Sequence, residues 1–276
     1  MTSLGTGALR SKQENDLVIK EAVSNFGYGA IDSAASHESE SSIGALLAAD
    51  KSLRSRLFLS SKIWSTKLSF QESLKSVHNS LASMKTNYID LYITNWPACF
   101  DLNVECSKTK DTKWEQSYEA LLKLYGEGLV LNIGVSNADE DLVDVLLTEF
   151  SVKPQILHSI VDLNDLNWDY YDFLHEQQII LQAYGTYRRF VEGKGLKQAE
   201  IKKNVESIIN DIQVNEGVQV SPSQLILRFL VENSIAVVPR TSKSLEAKEN
   251  NNLFEFVWTS NYNVRLGGRP DEKTEL

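Results

Sequence analysis

Apolar positions along the chain repeat with two different periods. Short, β-branched runs bounded by turn residues predict strands at residues 3–7, 29–33, 57–62, 89–95, 130–136, 155–161, 179–184 and 235–239. Between them, spacings of three and four predict helices over residues 12–25, 39–49, 69–84, 114–125 and 138–149. Leu74, Val77 and Leu81 share one such face, and Tyr118, Leu121, Leu122 and Tyr125 another. A later helix opens at Ser221-Pro222, a capping hydroxyl followed by a proline whose missing N–H costs nothing at the first helical position. Its apolar face is Leu225, Ile226, Phe229 and Leu230. Strands alternating with helices point to an α/β protein, and eight such units favour a parallel sheet closed into a (β/α)8 TIM barrel. An open dinucleotide-binding sheet would need a third glycine after the first strand, which Leu4-Gly5-Thr6-Gly7 does not supply. No Pro/Gly-rich linker divides the chain, so residues 1–276 are read as a single domain.

Composition narrows the function classes. The 28 Lys+Arg against 37 Asp+Glu give a net charge of −9, which disfavours nucleic acid and anionic membranes as partners. No apolar run approaches the length of a membrane span, and residues 1–10 carry no secretory pattern. Cys99 and Cys106 lie close together in a loop segment, which fits a reducing, cytoplasmic setting better than a disulfide framework.

In a barrel of this kind the chemistry sits at the C-terminal strand ends. There the sequence places Asp32 with His37 and Glu40; Lys62 with Trp64; Asn95 with Trp96 and Phe100; Ser136-Asn137; His158 and Asp162; Tyr184; and Arg240-Thr241. An Asp and a Lys on neighbouring strand ends form a buried ion pair only with excellent geometry, which makes the pair a functional flag. Two tryptophans nearby can wall an apolar pocket. Singly, each residue also has a structural reading: Asp32 as a turn or cap, Lys62 as a surface charge, His158 as a satisfied half-buried histidine, the tryptophans as core. Their joint order carries the weight.

That order resembles the aldo-keto reductase family along nearly the whole chain. Leu4-Gly5-Thr6 is similar to the family's first-strand Gly-Thr. Residues 31–40, with Asp32 and Glu40, resemble D-T-A-x-x-Y-x-N-E, Lys62-Ile63-Trp64 resembles T-K-L-W, and residues 89–97 resemble I-D-L-x-L-I-H-W-P. Glu127-Gly128 through Ser136-Asn137 resembles E-G-K-V-R-x-I-G-V-S-N, Ala183-Tyr184 resembles A-Y-S-P, and Val238-Pro239-Arg240-Thr241 to Glu249-Asn250 resembles I-P-K-S…E-N. The resemblance implies hydride transfer from the reduced form of NADP or NAD to a small carbonyl compound, by a cytoplasmic monomer without a metal. The family's proton donor is a tyrosine beside a lysine that an aspartate holds, and a histidine orients the carbonyl.

On this basis the catalytic positions are Asp32, His37, Lys62 and Asn95, with His37 at the tyrosine position and Asn95 at the histidine position. His37 is shorter than a phenol, and the charge of Lys62 favours its neutral form. Asn95 keeps a donor for the carbonyl. Trp64, Trp96 and Phe100 form the expected substrate wall. The cofactor positions are Thr6, Asp32, Ser136, Asn137, His158, Tyr184, Arg240, Thr241, Glu246, Glu249 and Asn250. Of these, Ser136 and Asn137 match the residues that hold the nicotinamide amide, His158 replaces a glutamine, and Tyr184 matches the aromatic that stacks on the nicotinamide ring. Gly185-Thr186 replaces Ser-Pro, with Arg188 and Arg189 as nearby charges. Glu246 stands where an arginine binds the 2′-phosphate, which weakens NADP preference. Against the family's pattern the N- and C-terminal segments are expected to be shortened, with the N-terminal hairpin missing before Leu4 and the last helix missing between Phe256 and Asn263. Three readings remain: a reductase with a changed proton donor, a non-catalytic nucleotide-binding barrel acting as sensor or interaction module, and a decayed duplicate.

Overall fold

The two periods resolve into one sheet and a ring of helices in the computed structural model, which describes residues 2–7, 11–94 and 114–270. The strands are β1 (Leu4–Gly5), β2 (Ala30–Asp32), β3 (Phe58–Ile63), β4 (Leu91–Thr94), β5 (Ile133–Ser136), β6 (Ile156–Ile160), β7 (Ile180–Tyr184) and β8 (Ala236–Val237). Each pairs in parallel with the next, in the order β1 to β8. Parallel bridges Thr2–Val237 and Gly5–Arg240, with hydrogen bonds from Ser3 N to Val237 O at 3.0 Å and Gly5 N to Pro239 O at 2.9 Å, join the first strand to the last. The sheet is a closed (β/α)8 barrel, and the expected architecture is borne out.

The helices are α1 (Lys12–Ser24), α2 (Ser39–Ala49), α3 (Phe70–Met84), α4 (Trp114–Gly126), α5 (Glu140–Glu149), α6 (Trp168–Glu176), α7 (Arg188–Glu192), α8 (Gln198–Glu216), α9 (Pro222–Glu232), α10 (Ser244–Asn251) and α11 (Ser260–Arg265). α9 starts as its sequence predicts: Ser221 and Gln224 form a reciprocal capping box with Pro222 at the first position. Asp139 caps α5 by accepting from Leu142 N at 3.0 Å. α2 packs so tightly on α3 that a Cβ on Gly44 would stand 2.1 Å from Ser83 O, which leaves room only for glycine.

Side-chain alternation sorts the strands into two cores. Leu59, Ile63, Tyr92, Val135 and Leu157 belong to the large apolar cluster that also takes in the helices. Leu91, Ile93 and Ile156, with Phe58, fill the barrel interior. The same inward register, continued to the C-terminal ends, brings polar side chains together above that plug. The predicted strands at residues 3–7 and 235–239 are shorter than expected, because at the seam only isolated bridges extend the ladders.

Candidate functional site

Asp32 ends β2, and Lys62 sits beside it on β3. Lys62 Nζ donates to Asp32 Oδ1 at 2.7 Å, to Asp32 Oδ2 at 2.6 Å and to Ser33 O at 2.9 Å. An ammonium has three protons, so all three are engaged by protein acceptors. Ser60 Oγ adds a donor to Asp32 Oδ1 at 2.7 Å. The two side chains are only 5% and 6% exposed. Burial by itself raises the pKa of Asp32, but the charges of Lys62 and His158 and the hydrogen bonds from Lys62 and Ser60 outweigh it and hold it below the ordinary carboxylate value. The expected ion pair is present. The Lys62 protons point to Asp32 and to the Ser33 carbonyl.

His37 lies in the turn after β2, its N–H donating to Ala34 O at 2.9 Å. Its ring covers Gly7: a Cβ there would be 3.3 Å from His37 Cε1 and 3.9 Å from Arg240 Cδ. His37 Nδ1 is buried and has no hydrogen-bond partner among the described residues. Burial, then the Lys62 charge, lowers its pKa to about 4 against the opposing pull of Asp32. The imidazole is therefore neutral at pH 7.

Across the barrel, Ser136 ends β5 and Asn137 follows it with a φ of 58°. Asn137 Nδ2 donates to Ser136 Oγ at 2.8 Å, and the Tyr184 hydroxyl donates to Asn137 Oδ1 at 2.8 Å. His158, 4% exposed, stacks on Tyr184 with ring centroids 4.7 Å apart and planes 7° from parallel. His158 Nδ1 is 2.8 Å from Gln182 Oε1. Burial and the Lys62 charge bring the His158 pKa down to about 4.

Asp32, His37, Lys62, His158, Tyr184 and Arg240 line one cavity of about 450 Å³, with Asp162, Arg188, Arg189 and Lys194 at its edge. A second cavity of about 500 Å³ shares Gly185, Arg188, Glu192 and Arg240 with the first and is lined further by Tyr187, Glu246, Glu249 and Asn250. Four cations around the first cavity are in ion pairs: Lys62 with Asp32, Arg189 with Asp162, and both Arg188 and Lys194 with Glu192. Arg240 has no ion pair or side-chain hydrogen bond within the described residues.

Several expected positions have other work. Thr6 lines neither cavity; its hydroxyl donates to Asp32 O at 3.0 Å and bonds Ser39 Oγ at 2.8 Å, tying β2 to the start of α2. Ser136 is fully buried under Asn137 and lines neither cavity. Thr241 holds Glu246, donating to its Oε2 at 2.6 Å, while Lys243 Nζ donates to Oε1 at 2.7 Å. The Lys243 and Thr241 hydrogen bonds keep the Glu246 carboxyl below its usual pKa. Glu246 is thus a carboxylate paired with Lys243 and Thr241. Trp64 is half-buried and lines neither cavity. Asn95, Trp96 and Phe100 lie outside the described residues, as do Cys99 and Cys106. Gln182, Glu192 and Lys194 were not among the expected site residues, whereas Arg188 and Arg189 were anticipated as nearby charges. Gln182 could have been found, because it stands two residues before Tyr184 on the same face of β7.

The nucleotide that the sequence resemblance implies fits the second cavity, where Arg188 and Arg240 offer charge and Glu249 and Asn250 offer hydrogen-bonding groups. Among the described residues no cluster of His, Cys, Asp or Glu is arranged to hold a metal.

A profile of the aldo/keto reductase family matches residues 1–266. Glyoxal reductase of Bacillus subtilis (strain 168) is 27% identical over 287 residues, covering 99% of this chain and 93% of that protein. Methylglyoxal reductase DkgB of Yersinia pestis is 28% identical, covering 89% and 84%. The crystal structure of a Bombyx mori aldo-keto reductase in complex with NADP superposes with a TM-score of 0.81 at 20% identity, covering 96% of this chain and 87% of that one, a likeness of fold.

Proposed function

The chain belongs to the aldo/keto reductase family, and on that premise we propose that it is an oxidoreductase that reduces a small aldehyde or ketone with a nicotinamide nucleotide, slowly. A reduced nicotinamide, when bound, supplies the hydride. The chain's own residues must supply the proton and stabilise the developing alkoxide. The observation that carries the slow rate is the condition of these groups. All three protons of Lys62 are engaged, and His37 is neutral with a pKa near 4. A neutral imidazole is a weak acid, and losing a general acid costs about 10²–10⁴ in rate.

The two joined cavities support retention of a nucleotide, with Glu249 and Asn250 at one end and Tyr184 at the other. The engagement of Glu246 with Lys243 and Thr241 supports a weakened preference for NADP over NAD. The partner in this reading is the small carbonyl compound, met by a cytoplasmic monomer. The net charge of −9 speaks against nucleic acid, and no described helix is long and apolar enough to cross a membrane. A second reading, a nucleotide-binding barrel without turnover, is favoured by the same Lys62 geometry combined with the retained second cavity.

The test is turnover of glyoxal and of an aromatic aldehyde with NADH and with NADPH, for the unmodified chain, His37→Tyr and His37→Phe. A tyrosine restores a proton donor and its reach, so His37→Tyr should raise kcat/KM by about tenfold or more, while His37→Phe, which restores only ring volume, should not. Unmodified turnover in the ordinary enzyme range of about 1–10³ per second would sink the slow-reductase reading. Nucleotide binding without turnover in any variant would favour the second.

A further inference from the structure

His158 on β6 and Gln182 on β7 stand in register beside each other, and both are buried. His158 Nδ1 is 2.8 Å from Gln182 Oε1. An amide oxygen has no proton to give, so the proton of this bond sits on Nδ1. Burial and the Lys62 charge hold the His158 pKa at about 4, which leaves the ring neutral at pH 7. A neutral imidazole carries one N–H, so Nε2 keeps a bare lone pair. Nε2 makes no hydrogen bond within the described residues and is not among the buried side-chain atoms that lack a partner. It therefore opens on the first cavity, which His158 lines.

The neighbouring donors are spent elsewhere. Lys62 gives its three protons to Asp32 and to Ser33 O, Ser60 Oγ donates to Asp32, and the Tyr184 hydroxyl donates to Asn137 Oδ1. The stack on Tyr184, with planes 7° from parallel, holds the imidazole plane and so gives the lone pair one direction. A fixed lone pair is matched by an N–H or O–H of a ligand. It repels a carboxylate oxygen, which can only accept. On the nicotinamide ring of the nucleotide proposed above, the amide NH2 is such a donor, and the corresponding acid has none.

We propose that Gln182 is a positioning residue that acts through His158: it holds the imidazole as a neutral acceptor on the wall of the first cavity and so selects a ligand that brings a hydrogen-bond donor, an amide in preference to an acid. The choice of amide rests on the reading that a nicotinamide nucleotide enters this cavity. Gln182 does not itself line the cavity, so it works only by deciding which ring nitrogen is protonated. Without an acceptor at position 182 the proton moves to Nε2, where the cavity can receive it. The polarity of the wall then reverses with no change in its shape, and an acid becomes the better partner.

Two measurements on the full chain at about pH 8, where the imidazole is neutral, test this. Two-bond proton–nitrogen correlation spectra of isotope-labelled histidine report which ring nitrogen carries the proton, with His158 assigned by its loss in His158→Gln. The unmodified chain is expected to show Nδ1 protonated and Gln182→Leu to show Nε2 protonated. Gln182→Glu, whose carboxylate accepts as the amide oxygen does, should restore Nδ1. Calorimetric titration then compares NADH with its nicotinic acid analogue. NADH should bind about tenfold or more tighter than the analogue to the unmodified chain and to Gln182→Glu, and Gln182→Leu should lose that preference. A role in packing alone would move both ligands together and leave their ratio unchanged. A protonated Nε2 in the unmodified chain would overturn the inference, as would an amide preference that survives Gln182→Leu. Failure of both nucleotides to bind, with Nδ1 protonated, would remove the nucleotide reading and the amide choice drawn from it, and leave the role of Gln182 toward His158 standing.

Discussion

Between pH 7 and pH 5 the protein is expected to lose stability through two of its four histidines. His37 and His158 have folded pKa values of about 4, against 6.5 for an ordinary imidazole. Burial is the first cause at both. The Lys62 charge adds to it, Asp32 opposes it, Arg240 contributes at His37, and the Gln182 hydrogen bond opposes it at His158. A depressed imidazole pKa means that the unfolded chain binds protons that the folded chain refuses. The stabilisation is therefore complete above about pH 6.5 and declines as pH falls toward 4. From pH 7 to pH 5 this amounts to roughly 2 kcal/mol per histidine, with the smaller share from the less buried His37. Urea unfolding at pH 7, 6 and 5 measures it. His158→Gln should cut the pH slope by about half, whatever it does to stability at pH 7. Pairing it with His37→Asn should flatten most of the remainder. Because His78, His175 and the carboxylates are common to all variants, a His158→Gln curve parallel to that of the unmodified chain would refute the reasoning.

Lys62→Met leaves Asp32 buried without its cation and should destabilise by about 3–5 kcal/mol in denaturant unfolding, while adding Asp32→Asn should recover much of the loss; equal losses would show that the charge is not the cause. Glu246→Arg removes the carboxylate that engages Lys243 and Thr241 and should improve NADPH affinity relative to NADH by about tenfold in direct titration. No change would mean that this corner does not face a 2′-phosphate. Gly44→Ala forces a methyl to within 2.1 Å of Ser83 O and should cost about 1–3 kcal/mol, read as a lowered Tm. A Tm unchanged by it would mean that α2 shifts freely on α3.

The barrel is legible in the sequence because its strands are covered on both faces and read as near-continuous apolar runs. The Asp32–Lys62 pair is legible because strand-end position and charge suffice to suggest it. What Lys62 does with its protons is not, since the deciding acceptor is a backbone carbonyl, Ser33 O, whose direction no side-chain pattern encodes. The Tyr184–Asn137 bond joins residues 47 positions apart and depends on the left-handed turn at Asn137. Glu246 is the opposite case: its partners Thr241 and Lys243 are five and three residues away, near enough to anticipate. Trp64 shows the limit of motif position, which puts a residue near a cavity without turning its ring toward it. α8 was not singled out, although its buried Ile201, Val205, Ile208 and Ile212 keep helical spacing, because polar residues on its outer face dilute the pattern.

The seam where β1 meets β8 also fixes when the site can come into being. Gly5 ends β1 and Gly7 follows it, Arg240 follows β8 and Asn250 lies in α10, and all four line the joined cavities. As the chain is synthesised, six or seven strands can form before the partner of the first has left the ribosome, so the opening segment waits with an unpaired edge. Its closing contacts have among the largest sequence separations in the molecule and are the slowest to form. A nucleotide held across that seam would bridge the first strand and the last at once. Its recognition would then be a property of the finished barrel, which no partly made chain could share.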